Sequence, residues 1–360
     1  MPVVSTCKSW SRSSGILFLA LSLPILFVAL NLVKSAASFE QFTLTRNYTK
    51  CVQTSLPRVY LVFEKTTFRY FDDWITPFLD DLETTFEVIR YTVHRNTESR
   101  VVTLQTDLRK GDTVLLLQRS FEMPLKDGVQ YWFLNTEGPD KNFADIAIAQ
   151  GFRNVIDYCS FNSERFSKLG AESSLWLPIV RPPTVMMHTF RSKLCIVGGA
   201  NTSRRKLFVD QFNRATGERG LNISIFEVRG WKLQRDVVSQ TCALVLNIAS
   251  KDSNHATPRL RLDVLWQFDI PIISEEMSGD DPLEYRGTVV FVPLPQLLNA
   301  SLSMWANITS GEYPGSLSQR AEARQIVYES RLTRFKKVTQ VVKQKALEVY
   351  SCKTEVGRSL

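Results

Sequence analysis

The stretch Leu194-Cys195-Ile196-Val197-Gly198-Gly199-Ala200-Asn201-Thr202-Ser203-Arg204-Arg205-Lys206 decides how the rest of the chain is read. Four apolar residues make a buried strand, two glycines end it, and Thr or Ser positions suited to an N-cap open a helix. This is the start of a βα unit. Glycines let a diphosphate approach the backbone N–H groups at the positive end of the helix. Gly198 and Gly199 are therefore candidate phosphate-holding positions, and Arg204 and Arg205 add counter-charge. The pattern is neither GxGxxG nor a Walker loop, and a plain strand-to-helix turn has the same spacing. A glycan on the Asn201 sequon would conflict with a ligand there.

Downstream the alternation continues with a helix from about Ser203 to Thr216, a strand over Leu221 to Val228 and a short helix near Asp236. Ala243 to Ile248, a helix from Pro258 to Phe268, Ile270 to Ile273 and Thr288 to Val292 complete it. Upstream, the strand candidates are Arg58 to Phe63, Phe86 to Val93, Asp112 to Gln118, Val129 to Leu134, Asn154 to Tyr158 and Ser174 to Pro178. Helical stretches over Phe71 to Thr84, Asn142 to Gln150 and Asn162 to Leu169 lie between them. Several strands are continuous apolar runs, as expected of parallel strands covered on both faces. Arg181-Pro182-Pro183-Thr184 interrupts the pattern, because prolines remove donors and hold the chain extended. The fold class expected is α/β, with two Rossmann-like doubly wound domains facing a cleft, residues 57–180 and 194–315, joined by a linker over 181–193.

The chain has 360 residues, 44% of them hydrophobic, enough to bury two cores and to exclude disorder throughout. Its net charge of +8 is unevenly placed. Residues 1–38 carry Lys8, Arg12 and Lys34 with no acid, and residues 316–360 carry ten Lys and Arg against Glu322, Glu329, Glu348 and Glu355. The span between them holds 31 bases and 32 acids. A nucleic-acid partner is not expected, because phosphate-backbone binding needs bases clustered on the binding face.

Gly15 to Val33 is uncharged over 19 residues, long enough to cross a bilayer core of ~30 Å at ~1.5 Å per residue. With Lys8 and Arg12 ahead of it, the positive-inside tendency predicts a type II signal anchor. The organisation expected is a cytosolic tail over 1–14, an N-terminal transmembrane helix over 15–34, a stem over 35–56 and the remainder in the lumen of the ER or Golgi. Ser35-Ala36-Ala37 offers the alternative of a cleaved signal peptide and a secreted product. Sequons at Asn47, Asn201, Asn222, Asn299 and Asn307 agree with a lumenal site. On this topology Cys51, Cys159, Cys195, Cys242 and Cys352 are lumenal, and the odd count leaves at least one thiol free or bridged to another chain. With no CxxC or Cys/His cluster, no metal site is expected. The tail over 316–360 reads as one or two helices from Leu317 to Tyr350, one face packed and the other solvated or against anionic headgroups.

Candidate chemistry gathers at strand ends. Asn247 closes a buried strand, His255 follows in a polar loop, Arg259 and Arg261 open the next helix, and Ser274 and Glu275 stand at the carboxyl end of another strand, where open α/β sheets bind ligands. For a general base, Glu137 fits by position, with Asp157 as second candidate. Phe68, Tyr70, Phe71 and Trp74 either line a sugar site or pack in the core.

An ordered set of elements resembles the GT-B-fold glycosyltransferases, with a family-1-like C-terminal domain. Gly230-Trp231…Arg235-Asp236, Leu246-Asn247-Ile248, Arg261-Leu262, Pro271-Ile272-Ile273-Ser274-Glu275 and Asp280…Val290-Phe291-Val292 look like that C-terminal domain. Asn135-Thr136-Glu137, Ile156-Asp157-Tyr158-Cys159-Ser160-Phe161-Asn162 and Leu177-Pro178-Ile179 look like the N-terminal one. The resemblance implies a metal-independent transferase without a cofactor. A nucleotide sugar is held mainly by the second domain, and a glycan, lipid or protein acceptor by the first. Fixed positive groups then stabilise the departing diphosphate. Related sequences often carry a Glu at the start of the helix that begins here with Ala256-Thr257-Pro258-Arg259, where it holds the donor's ribose. Either Glu275, Glu276 or another group substitutes, or donor binding is lost. The alternative is a catalytically inactive glycan- or partner-binding protein on the same scaffold; a sugar-nucleotide epimerase is a third reading.

Overall fold

Strand β1 (Arg58–Glu64) alternates its side chains between two cores. Val59, Leu61 and Phe63 enter one hydrophobic cluster, and Tyr60 and Val62 enter another on the opposite face. A strand buried on both faces belongs inside a parallel sheet. In the computed structural model β1 pairs in parallel with β2 (Glu87–Val93) on one side and β3 (Thr113–Leu117) on the other. The sheet continues through β4 (Gln130–Asn135), β5 (Asn154–Asp157) and β6 (Ser173–Trp176), in the order β2-β1-β3-β4-β5-β6. Its first face packs against α1 (Lys65–Glu83), through Trp74, Phe78 and Leu82. The second packs against α2 (Phe143–Ala149) and α3 (Ser160–Lys168), through Ala147 and Phe166. The structure describes residues 56–93, 107–117, 124–136, 143–184, 191–198, 202–228, 231–249, 259–277, 285, 287–312 and 317–356.

A second parallel sheet comprises β7 (Lys193–Val197), β8 (Ile225–Val228), β9 (Cys242–Asn247), β10 (Ile272–Glu275) and β11 (Val290–Val292), in the order β11-β10-β9-β7-β8. One face buries α5 (Trp231–Thr241) and α6 (Arg259–Leu265), and the other buries α4 (Ser203–Glu218) and α7 (Leu294–Thr309). The α/β class with doubly wound parallel sheets agrees with the sequence. Adjacent strands β7 and β9 are bridged by a Cys195–Cys242 disulfide, and Cys159 is buried.

Some element ends differ from the sequence pattern for local reasons. Helix α1 begins at Lys65, not Phe71, because the chain passes from β1 into the helix with no loop. Strand β8 starts at Ile225, not Leu221, after the turn at Gly220, whose φ is 65°. Helix α6 stops at Leu265, and Phe268 instead forms a parallel bridge with Thr184 of the linker.

The tail is a single helix, α8 (Leu317–Val356), of 40 residues, about 60 Å at ~1.5 Å per residue. Arg324, Val327, Arg331, Phe335, Val338, Val342 and Ala346 form one buried stripe at helical spacing. Its early part meets the second domain: Arg324 and Arg320 both pair with Asp269, and Arg331 pairs with Asp263 at 2.8 Å. Its later part joins the first domain's core, where Phe335, Val338, Val342 and Ala346 pack with Trp74 and Phe78. Lys343 pairs with Asp81 at 2.8 Å. Several bases expected on a solvated face are therefore drawn onto acids of the two domains, and α8 straps both together. Gly15 to Val33 lies outside the described residues; among those described, no helix is long and apolar enough to cross a membrane.

Candidate functional site

In the second sheet the strand order reverses between β7 and β9, and a doubly wound sheet leaves a crevice beyond the carboxyl ends of the strands at that point. Four residue groups converge there. Gly198 follows β7 with φ 88°, and a Cβ at that position would lie 3.0 Å from Arg205 Nη1 and 3.1 Å from Arg261 Cζ. The backbone conformation favours glycine, and a Cβ there would press both guanidiniums back by a few tenths of an ångström.

Arg205 enters from the first turn of α4, whose N-cap Thr202 accepts its backbone N–H at 3.5 Å. Its Nε donates to the Ile248 carbonyl and its Nη1 to the Gly198 carbonyl, each at 3.0 Å. The side chain is buried; desolvation lowers its pKa, and the Glu275 charge acts against that. Arg204, one residue earlier, turns the other way and ion-pairs with Glu275.

Arg261 approaches from α6. Its Nη1 reaches Asn247 Oδ1 at 3.5 Å and the Ile248 carbonyl at 3.4 Å, and among the described residues no carboxylate pairs with it. Desolvation and then the neighbouring Arg205 charge pull its pKa down to about 9, opposed by Tyr158. It remains protonated at neutral pH. Tyr158 follows β5 of the first sheet, so the guanidinium stands where the two domains face each other. Two guanidiniums beside a helix N-terminus, held mostly by carbonyl oxygens, form a positive site suited to a polyanion.

Asn247, Ser274 and Glu275 form the layer behind the arginines. Asn247 Nδ2 donates to Ser274 Oγ at 3.0 Å, and both side chains are fully buried. This turns Asn247 Oδ1 toward Arg261. The Glu275 carboxylate is 3% exposed, paired with Arg204 and accepting the Ala249 N–H at 3.0 Å. Its bonds hold the β9 and β10 ends together rather than leaving it turned to solvent. The structure thus brings together Gly198, Arg204, Asn247, Arg261, Ser274 and Glu275. Glu137, Gly199, Asn201, His255, Pro258 and Asn47 lie outside the described residues, as does the side chain of Arg259.

Asp157 is fully buried and accepts from Asn135 Nδ2 and the Cys159 N–H at 2.6 Å each and from Asn162 Nδ2 at 3.0 Å. It anchors the β5–α3 turn and thereby places Tyr158. Trp74 is 1% exposed and donates to the Leu177 carbonyl at 2.7 Å, and Phe68 and Phe71 pack beside it, so these rings belong to the core. Asn222, Asn299 and Asn307 are exposed. Sequence reasoning passed over Tyr158 and Glu64. The latter is 5% exposed at the carboxyl end of β1, beside the order reversal of the first sheet; its one signal was a charge ending an apolar run. Among the described residues no group of three or more His, Cys, Asp or Glu is placed to hold a metal ion.

No family model matches the chain. An uncharacterized protein of Acanthamoeba polyphaga mimivirus is 26% identical over 113 residues, 31% of this chain and 36% of that protein. The matched stretch thus spans about a third of that relative. Among solved structures, the Glycosylation Associate Protein (Gap123) complex of Streptococcus agalactiae aligns with a TM-score of 0.44 at 8% identity, covering 69% of this chain and 56% of that one. A mutant O-GlcNAc transferase of Thermobaculum terrenum aligns with a TM-score of 0.44 at 11% identity, covering 84% and 69%. The glycotransferase of kitacinnamycin aligns with a TM-score of 0.45 at 8% identity, covering 82% and 100%.

Proposed function

We propose that the chain is a glycosyltransferase that binds the diphosphate of a nucleotide-sugar donor at Gly198, Arg205 and Arg261 and transfers the sugar to a hydroxyl on a glycan, lipid or protein. The observation that carries this reading is the Arg205–Arg261 pair over Gly198, at the order reversal of the second sheet and beside the N-terminus of α4. Leaving-group charge develops on the diphosphate during transfer, and pre-placed guanidiniums stabilise it without a metal ion. Desolvation raises the value of that charge pairing, because Arg261 is buried beside the Arg205 charge. Glu137, by its sequence position after β4, is the proposed base that takes the acceptor proton, with Gly199, His255 and Arg259 completing the donor loops.

The membrane and lumenal assignments belong to the same proposal. Gly15 to Val33 would anchor the chain as a type II protein of the ER or Golgi. A disulfide between strands and exposed sequon asparagines at 222, 299 and 307 support an oxidising, glycosylating compartment. The alternative, an inactive binding protein on this scaffold, draws on Glu275, whose carboxylate is committed to Arg204 and Ala249 instead of a ribose.

A donor panel tests the reading. Nucleoside diphosphates should raise the melting temperature of the full-length protein, and Arg261→Ala should weaken that binding; no shift with any diphosphate or nucleotide sugar would sink the transferase reading. Turnover retained in Glu137→Gln would remove that residue as base.

A further inference from the structure

A second basic pocket lies between the first domain and the strap helix. It is a solvent-open cleft of about 220 Å3, lined by Ser160, Ser174, Trp176, Arg334 and Lys337, with Leu175, Val338 and Val341 giving it an apolar side. Arg334 and Lys337 are three residues apart on α8, so they share one face. The Arg334 guanidinium lies over the Trp176 ring, with Cζ 5.3 Å from its centroid. That cation–π contact holds the guanidinium beside the ring at the cleft, where its N–H donors suit an oxyanion. The inward bases of the same helix are differently placed: Arg320 and Arg324 pair with Asp269, Arg331 with Asp263 and Lys343 with Asp81. Among the described residues no carboxylate pairs with Arg334 or Lys337. Both are exposed on the helix.

This pocket is tied to the candidate donor site through one residue. Trp176 Nε1 donates to the Tyr158 carbonyl at 3.1 Å, and the Tyr158 side chain acts on Arg261. The cleft therefore opens beside the carboxyl ends of β5 and β6, where Ser160 and Trp176 line it.

We propose that this pocket binds the acidic group of a saccharide acceptor, a carboxylate or phosphate ester seated on Arg334 and Lys337. The two serine hydroxyls meet the sugar's hydroxyls, and the valine and leucine side chains meet its C–H face. A cleft of about 220 Å3, below the ~300–1,000 Å3 of drug-sized pockets, part apolar and with a few convergent polar groups, has room for a single sugar residue. The acceptor role rests on the glycosyltransferase reading above; the acidic-saccharide chemistry rests on the pocket alone.

The test is calorimetric titration of the full-length protein in nonionic detergent with glucuronate, glucose 6-phosphate, glucose, inorganic phosphate and a nucleoside diphosphate. Glucuronate and glucose 6-phosphate should bind roughly tenfold or more tightly than glucose, since charge-assisted pairs supply the difference. Arg334→Gln combined with Lys337→Gln should erase that preference and leave nucleoside diphosphate affinity unchanged. Both positions are exposed and Gln keeps helix propensity, so the variant is expected to fold. Equal affinity for glucose and glucuronate, or a preference that survives the double change, would overturn the proposal. Inorganic phosphate binding as tightly as glucose 6-phosphate would overturn its saccharide part. Loss of nucleoside diphosphate binding in the unaltered protein would instead count against the donor site, leaving the pocket to be judged on the sugar arms.

Discussion

Arg261 crowds Gly198 so closely that a single methyl group on that glycine would sit 3.1 Å from the guanidinium carbon. The contact joins the end of β7 to α6, and a side chain on that glycine would have to push the guanidinium back by a few tenths of an ångström. Since Gly198 also has φ 88°, the sequence there answers two demands at once.

Gly198→Ala should therefore cost about 1–3 kcal/mol in stability from backbone strain. It should also weaken nucleoside diphosphate binding by pushing Arg205 and Arg261 apart. Urea unfolding gives the first quantity and titration the second. An alanine variant with unaltered affinity would separate Gly198 from the anion site.

The buried pair Arg331–Asp263 should behave differently from a surface salt bridge. Arg331 is 3% exposed, packs over the rings of Trp266 and Tyr285, and shares Asp263 with the Tyr285 hydroxyl at 2.6 Å. Desolvation opposes its charge, but Asp263 and then Tyr285 outweigh this and raise its pKa. Arg331→Met should cost about 3–5 kcal/mol by leaving the carboxylate unpaired, and adding Asp263→Asn should recover part of that loss. A double-mutant cycle by chemical denaturation measures both; independent effects would argue against the pairing.

Asp269 sets a pH dependence. Burial alone would raise its pKa, but its bonds to Arg320 and Arg324 lower it overall. A carboxylate depressed in the folded state contributes stability above its unfolded pKa, about 3.9, and loses it as pH falls through the folded value. Asp269→Asn should accordingly be less stable than the parent at pH 7, with the gap closing below about pH 4. Denaturation series at pH 7 and at low pH show whether the gap closes.

The Cys195–Cys242 bridge spans a sequence separation of 47 and lies wholly inside the second sheet. Changing both residues to Ala should cost about 4 kcal/mol if restriction of the unfolded chain dominates. Nonreducing electrophoresis of the denatured parent and variant should reveal the crosslink, and equal mobility with and without reductant would show that it does not form.

Much of the architecture is written locally. Leu194 to Val197 reads as a strand buried on both faces because all four residues are apolar, and each is at most 1% exposed. The tail from Leu317 reads as one or two helices from an apolar spacing of mostly three to five residues, and it forms a single one. The candidate site was legible in part: Gly198, Asn247 and Arg261 stand at element ends, where chain direction changes and ligands have access. The roles of the adjacent arginines were not legible. Arg204 and Arg205 have the same chemistry and neighbouring positions, yet one meets Glu275 at the end of β10 and the other meets carbonyls at the ends of β7 and β9.

The sequence by itself determined the alternation of strands and helices, the break near Pro182 and Pro183, and the segregation of charge to the two ends. Those follow from periodicity, backbone restriction and counting, all of which act over a few residues. The tertiary structure decided that Arg205 and Arg261 meet at Gly198 and that Arg331 is buried against Asp263. It also laid a basic helix across both domains. These outcomes depend on which groups lose water together, and desolvation is settled only when segments far apart in the chain pack against one another.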